Sequence, residues 1–269
     1  VFTDDDGHDD ADLTFPPVVS LMIELPEDEW EAQSTCFNNG GWKGGHDSCG
    51  YTGKHPMCGV MLEGEHAYSM YTCRVAGKGG DGEYSSGYPL PHASLKLKIE
   101  WRADQRYLTK LKLHRWLNAV VPDIEVTRYN VFREASVPTP HASMITAGVY
   151  NMNNTMLFTL YDYVLVEAPD TTAFINRHFK RALSFCEIDW GVLEHEKGQA
   201  CDPGFFASLA SADFVDFNRS AMIRFAVAEQ LSNHHDGICS GGQPNNGYVA
   251  SIPDTGYELV PYGVNEHAG

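Results

Sequence analysis

The sequence is short of positive charge, and it lacks the long apolar runs of membrane proteins. It contains 19 Lys and Arg residues against 36 Asp and Glu residues, so its net charge is −17 at pH 7. A charge of this size repels phosphate at long range and argues against a nucleic-acid partner. The most apolar run, residues 156–166, is interrupted by Asp162 and is far shorter than the ~20 residues that a membrane-spanning helix needs. We therefore expect a globular chain without a transmembrane helix.

The sequence also lacks the motifs of the common catalytic sites. It has no Gly-x-Ser-x-Gly nucleophile elbow, and its Gly-rich runs do not have the spacing of a phosphate-binding loop. His195 and Glu196 begin like a zinc-protease helix, but no second His follows at the required spacing. We therefore predict no catalytic residue and do not favour an enzyme.

Histidine is nevertheless abundant, with twelve in the chain. The most ligand-like cluster is His234, His235 and Asp236, which comes just after a predicted helix. Surface or hydrogen-bonded histidines would explain the cluster equally simply. A zinc site built there with a further histidine would make the chain a secreted metal-dependent hydrolase or lyase, which is the alternative to the function proposed below.

Seven cysteines indicate an oxidising compartment. Four of them lie in a segment rich in Gly, Asn, His and Tyr, without a regular hydrophobic period and without Cys-x2-Cys zinc spacing, which favours two disulfides over a metal site. A further pair is close enough to close one small loop, which leaves Cys239 unpaired or bonded elsewhere. The predicted disulfide cysteines are Cys36, Cys49, Cys58, Cys73, Cys186 and Cys201.

Two glycosylation sequons agree with the secretory route. They lie at Asn153 (Asn-Asn-Thr) and Asn218 (Asn-Arg-Ser). The chain begins at Val1 without an initiator Met or an apolar signal core, so we expect that a leader has been removed. The predicted location is therefore extracellular or on the cell surface.

The first 35 residues are strongly acidic, with eleven Asp and Glu residues and no Lys or Arg. One interpretation is a solvated acidic arm. The other is a calcium-binding turn, because hard cations bind several carboxylate oxygens within one tight loop. The spacing of an EF-hand is absent. The candidate calcium ligands are Asp4, Asp6, Asp9, Asp10 and Asp12.

Residues 94–186 give the clearest fold prediction. Residues 94–101 alternate apolar and charged side chains, which predicts a strand. Apolar residues then recur at helical spacing, which predicts a helix from near Asp104 to just before Pro122. Three strands at residues 124–132, 144–150 and 155–166 are predicted next, followed by a helix that Asp170 caps and that reaches Cys186. The order β-α-β-β-β-α resembles a split βαβ core, so we predict an α+β fold with an antiparallel sheet and two or three packed helices.

The flanking segments complete the predicted organisation. Strands are expected at residues 17–25, 58–62 and 66–74, and a third helix at residues 220–231 with Asn218 as its cap. Short edge strands or extended contacts are expected near residues 248 and 257. The Gly-rich link at residues 77–91 is the best candidate for a boundary or for a long surface loop. We therefore expect an acidic arm with a disulfide-rich, mainly β module at residues 1–90, and an α+β domain with a Gly/Pro-rich tail at residues 91–269.

Residues 95–118 reverse the charge of the arm, with seven basic residues against two acidic ones. A solvated strand face and helix face would explain this pattern. The alternative is a basic surface that receives the acidic arm of a neighbouring copy, and its residues would be Lys96, Lys98, Arg102, Arg106, Lys110, Lys112 and Arg115. The resulting prediction is a secreted structural or interaction protein that forms oligomers or filaments, stabilised by calcium, with small-ligand binding as a further class.

Overall fold

A computed structural model describes residues 20–25, 55–63, 69–78, 94–100, 110–114, 123–151, 156–211, 214–234, 237–239 and 243–264. Before residue 123, and at residues 147–151 and 156–162, the description covers the backbone alone. The contacts divide the chain into two compact units. One includes Thr14–Asp123 and Ala142–Glu167, and the other includes Ile124–His141 and Ala168–Gly269. Within the described residues, no helix has the length and apolar character needed to cross a membrane.

The first unit is a closed barrel of seven described strands in the order β1-β2-β3-β4-β5-β7-β6. The barrel closes because β1 pairs with β2 on one side and in parallel with β6 on the other. The remaining described neighbours are antiparallel. The strands are β1 (Ser20–Leu25), β2 (His55–Glu63), β3 (Ser69–Lys78), β4 (Ser94–Glu100), β5 (Lys110–His114), β6 (Ala142–Asn151) and β7 (Met156–Glu167). The strands on either side of residue 90, β3 and β4, therefore pair with each other.

The predicted helix between residues 104 and 122 is wrong where the structure describes it, because Lys110–His114 is strand β5. Leu111 and Leu113 alternate with basic residues at the two-residue period of a strand. Each of these leucines lies opposite an apolar residue of β4, Leu97 and Leu95 respectively. The helical spacing came mainly from residues beyond His114, and the two-residue period of β5 extends over only five residues.

The second unit contains four described helices and one four-stranded sheet. The helices are α1 (Ile124–Glu134), α2 (Thr172–His178), α3 (Phe205–Ala210) and α4 (Arg219–Ser232). The sheet has the antiparallel order β11-β10-β8-β9, with β8 (Ser184–Asp189), β9 (Val192–Gly198), β10 (Gly247–Ile252) and β11 (Gly256–Pro261). The described residues therefore form an α+β fold with antiparallel sheets, as predicted at that level.

The predicted strand at residues 124–132 is wrong, because these residues form helix α1. Its buried residues are Glu125, Arg128, Tyr129 and Phe132, which recur at the spacing of one helix face. Tertiary packing outweighs the β-propensity of the Ile and Val residues here. With β5 in place of a helix and α1 in place of a strand, the order from residue 94 onward is β-β-α-β-β-α.

Helix α2 is also shorter than predicted, because it ends at His178 and Cys186 lies in strand β8. Thr171 caps it by accepting a hydrogen bond from the Phe174 backbone N–H at 3.2 Å. Since β8 pairs with both β9 and β10, its backbone groups are satisfied by the sheet.

The core of this unit is aromatic. Phe174 and Phe179, at helix α2, pack with Phe185 of β8 and Tyr248 of β10 in one buried cluster. The Phe185 and Tyr248 rings stack at 5.2 Å between centroids. Strand β10 pairs with both β8 and β11 and is therefore an interior strand of the sheet, whereas an edge strand or an extended contact was predicted there.

Helix α4 confirms the predicted third helix. The Asn218 Oδ1 accepts the Ala221 backbone N–H at 3.2 Å, as expected of an N-cap. The helix buries Phe225, whose ring lies 5.4 Å from that of Phe132 of α1. Asn233, at φ 56°, ends the helix in the left-handed conformation.

Candidate interaction surface

On one face of three adjacent strands in the barrel, five basic residues each lie opposite another basic residue. Lys98 of β4 lies opposite both Arg74 of β3 and Lys110 of β5. Lys96, two residues away on β4, lies opposite Lys112 of β5. Opposed residues of antiparallel strands share a face, and so do residues two apart along one strand. We refer to these five residues together as the basic face.

The opposite face of the same three strands is apolar. Leu97 of β4 lies opposite Val75 of β3 and Leu111 of β5. Leu95 lies opposite Leu113. The strands are thus amphipathic, with the aliphatic residues on one face and the basic residues on the other.

The like charges on the basic face are placed at an energetic cost. Lys96 with Lys112, and Lys98 with Lys110, occupy directly opposed positions. Directly opposed like charges destabilise a sheet. An anionic partner would turn this repulsion into attraction, so the geometry suits an acidic ligand.

Four of the seven basic residues predicted to interact lie in this face: Lys96, Lys98, Lys110 and Lys112. The other three, Arg102, Arg106 and Arg115, are outside the described residues. Sequence reasoning missed Arg74, which joins the face only through the pairing of β3 with β4. Its position at the end of the strand predicted at residues 66–74 was the available signal.

A second cluster of ionisable groups lies at the end of helix α4. Glu229 is 1% exposed. Its Oε1 accepts the Ile238 backbone N–H at 2.8 Å, and its Oε2 accepts the Cys239 backbone N–H at 2.6 Å. His234 is buried as well, and its Nδ1 lies 3.7 Å from Glu229 Oε1. Gly237 fits between them because a side chain there would overlap both groups.

Burial sets the protonation of this cluster. It raises the pKa of Glu229 to about 7, against the opposing effect of hydrogen bonds from Cys239 and Ile238. Burial, together with the neighbouring Glu229 carboxylate, also raises the pKa of Cys239 well above its usual range. Cys239 is therefore a thiol at neutral pH and is not activated as a nucleophile. The carboxylate of Glu229 anchors the 237–239 loop to helix α4.

Within the part of the chain that the structure describes, no group of three or more His, Cys, Asp or Glu side chains is arranged to hold a metal ion. His235 and Asp236, two of the three candidate zinc ligands, lie outside that part. The candidate calcium ligands Asp4, Asp6, Asp9, Asp10 and Asp12 lie outside it too. Both metal sites stay predictions.

The structure describes five of the seven cysteines. A disulfide joins Cys186 of β8 to Cys201, the two residues expected to close a small loop, and Cys239 is a free thiol. The register of β2 with β3 places Cys58 directly opposite Cys73. Cys36 and Cys49 lie outside the described residues.

The two sequons also differ in what the structure describes. Asn153 lies outside the described residues. Asn218 caps helix α4, and its Nδ2 donates to Glu258 Oε1 at 2.7 Å. A glycan on Nδ2 would leave one N–H for that hydrogen bond, so glycosylation at this position stays a prediction.

No family model matches the chain, and no curated protein matches it in sequence.

Proposed function

We propose that the protein is a secreted structural or interaction protein that assembles through contact between the acidic arm of one copy and the basic face of another. The observation that carries the proposal is the alignment of five basic residues on strands β3, β4 and β5. The complementary charge is in the same chain, because its first 35 residues contain eleven acidic residues and no basic one.

The chemistry of the two segments favours this partner over a nucleic acid. A chain with a net charge of −17 repels polyphosphate at long range. A short acidic segment of a neighbour can reach the basic face locally, since exposed charges separated by more than about 8–10 Å are screened at physiological salt. A contact between two different surfaces is head-to-tail, and such contacts build rings or filaments.

Two further elements belong to the proposal. The Cys186–Cys201 disulfide supports an extracellular location, because disulfides persist in oxidising compartments. Calcium is the ion proposed to order the acidic arm, because Ca²⁺ prefers several carboxylate oxygens from one turn. A chelator tests this calcium proposal separately from the charge contact.

The basic face can be tested with a pair of matched variants. Lys98→Gln with Lys110→Gln removes two charges from opposed positions of the basic face. Lys180→Gln with Arg219→Gln removes the same charge from exposed positions on the other unit. Light scattering at low salt should give a smaller particle for the first variant and an unchanged particle for the second. Equal sizes for both variants and the wild type would contradict the proposal.

The acidic arm is tested by changing Asp4, Asp5, Asp6, Asp9 and Asp10 to Asn. The particle should become smaller at low salt, and raised salt should have the same effect on the wild type. An arm variant that assembles like the wild type would remove the arm from the mechanism. Particle size before and after a calcium chelator then decides whether calcium contributes.

A further inference from the structure

Strand β9 is the outer strand of the four-stranded sheet among the described strands. It is well exposed, with Val192 at 58% and with Glu194 and His195 on the surface. Its two ends are held by the tight turn that joins it to β8 and by the Cys186–Cys201 disulfide just after it. A rigid edge loses little conformational entropy when a further strand pairs with it.

A β-bulge interrupts the pairing of β9 with β8. Lys197 lies opposite Phe185, and His195 lies opposite Cys186, so Glu196 is an extra residue between them. A bulge of this kind shifts the alternation of side chains by one position along the bulged strand.

The shift places two opposite charges on the same face of the sheet. Glu194 lies opposite Glu187, and Lys197 lies opposite Phe185. Phe185 and Glu187 are two residues apart on β8 and therefore share a face. Glu194 and Lys197 consequently share that face too, although residues three apart in a regular strand lie on opposite faces.

We propose that β9 pairs in antiparallel fashion with β9 of a second copy, around a two-fold axis that passes between His195 and Glu196. In this register Glu194 of each copy lies opposite Lys197 of the other, and the axis, normal to the sheet, keeps each residue on its own face. Two cross-strand ion pairs form, and two four-stranded sheets join into one of eight strands.

Other registers do not give this match. An axis through His195 would set Glu194 of each copy against Glu196 of the other, which repels twice. Lysines and bulges on edge strands commonly serve to prevent pairing. If the lysine and the bulge of β9 prevent pairing, copies of the chain will not associate through β9. If the matched register forms, they will.

The contact is independent of the basic face, which lies in the other unit. Its test therefore uses the full chain with Lys98→Gln and Lys110→Gln as the background, so that failure of the arm contact and failure of the β9 contact are separable. Sedimentation velocity against protein concentration measures the dimer constant.

Charge reversal gives the expected pattern. Glu194→Lys alone and Lys197→Glu alone each set like charges opposite one another at two positions, so each should weaken the dimer by about tenfold or more. An equimolar mixture of the two variants should dimerise again, because each lysine pair then faces a glutamate pair. The variant with both changes should restore the dimer to within about threefold of the background.

The mixture is the sharpest readout, because it succeeds only if both variants are folded and meet in this register. Lys180→Glu is the matched control and should leave the dimer constant unchanged, since Lys180 is exposed and lies outside β9. A background protein that stays monomeric at every concentration would overturn the inference. So would single variants that dimerise like the background, or a mixture that stays monomeric.

Discussion

Changing Glu229 to Gln should remove a dependence of stability on pH that the wild-type protein shows near neutrality. The carboxylate is buried and accepts two backbone N–H groups, from Ile238 and Cys239. Burial favours the protonated form and raises the pKa of Glu229 from 4.5 to about 7. Gln is neutral at every pH, so the variant keeps the shape of the site and lacks the titration.

The direction and the size of the change in the free energy of unfolding follow from the pKa of Glu229 in the unfolded and in the folded chain. The unfolded chain releases the proton near pH 4.5 and the folded chain near pH 7. Between these values the folded state binds more protons, so the free energy of unfolding falls as the pH rises. The contribution is complete below the lower pKa and is lost as the pH passes the higher one. It amounts to roughly 3 kcal/mol in all, of which about 2.5 kcal/mol is lost between about pH 5 and pH 8.

Urea unfolding of both proteins across this pH range measures the effect. The free energy of unfolding of the wild type, taken relative to Glu229→Gln, should fall by about 2.5 kcal/mol as the pH rises. His234 lies 3.7 Å from the carboxylate, so its side chain is close enough to affect the measurement. The comparison is therefore repeated with His234→Gln in both proteins. A difference that stays constant across the range would refute the raised pKa and the assignment of Glu229 as a buried acid.

Three further substitutions have expected outcomes in thermal or urea unfolding. Asn218→Ala should cost about 1 kcal/mol through loss of the helix cap, whereas Ser220→Ala, which removes the same sequon, should cost less than half as much. Changing Cys186 and Cys201 together to Ala should cost about 3 kcal/mol, because their disulfide closes a loop with a sequence separation of 15 residues. Gly237→Ala should cost at least about 2 kcal/mol, since its Cβ would overlap a buried carboxylate, and a neutral effect would contradict the packing of this loop.

The strands of the barrel could be predicted where their residues alternate, or remain apolar, over a long enough run. Ser94–Glu100 and Met156–Glu167 lie close to the predicted strands. Helix α4 was also predictable, since a capping Asn precedes a long apolar helix face. In each of these segments, the pattern that predicts the element lies within the segment itself.

Local patterns gave the wrong type of element for both β5, which was predicted as a helix, and α1, which was predicted as a strand. Residues 110–114 have only five positions in which to show alternation, and the apolar residues after them suggested a helix. Helix α1 buries Glu125 and Arg128 on its inner face, where a sequence pattern expects apolar residues. The Arg128 guanidinium donates to the backbone oxygen of Val264 at 2.8 Å, 136 positions away in the chain. A contact between residues so far apart in the sequence cannot be recognised from the local sequence pattern.

The site residues show the same division. The basic character of residues 95–118 was visible in composition, but the alignment of Lys98 with Arg74 and Lys110 depends on strand register. No local pattern marks Glu229 as a site residue, because the backbone groups that it binds come from the loop after helix α4. The β9 bulge is invisible in sequence, since it exists only relative to β8.

The two proposed contacts have different symmetry, and this difference makes the assembly itself informative. Pairing of β9 with β9 uses the same surface on both copies and stops at two. Docking of an acidic arm on a basic face uses two different surfaces and continues from copy to copy. Together they would produce rings or filaments that are two copies wide. Loss of the basic face should then leave dimers, whereas loss of the β9 match should leave assemblies with half the mass per unit length. A single contact acting alone could not give both products, so the pair of variants separates the two interfaces by the size of what remains.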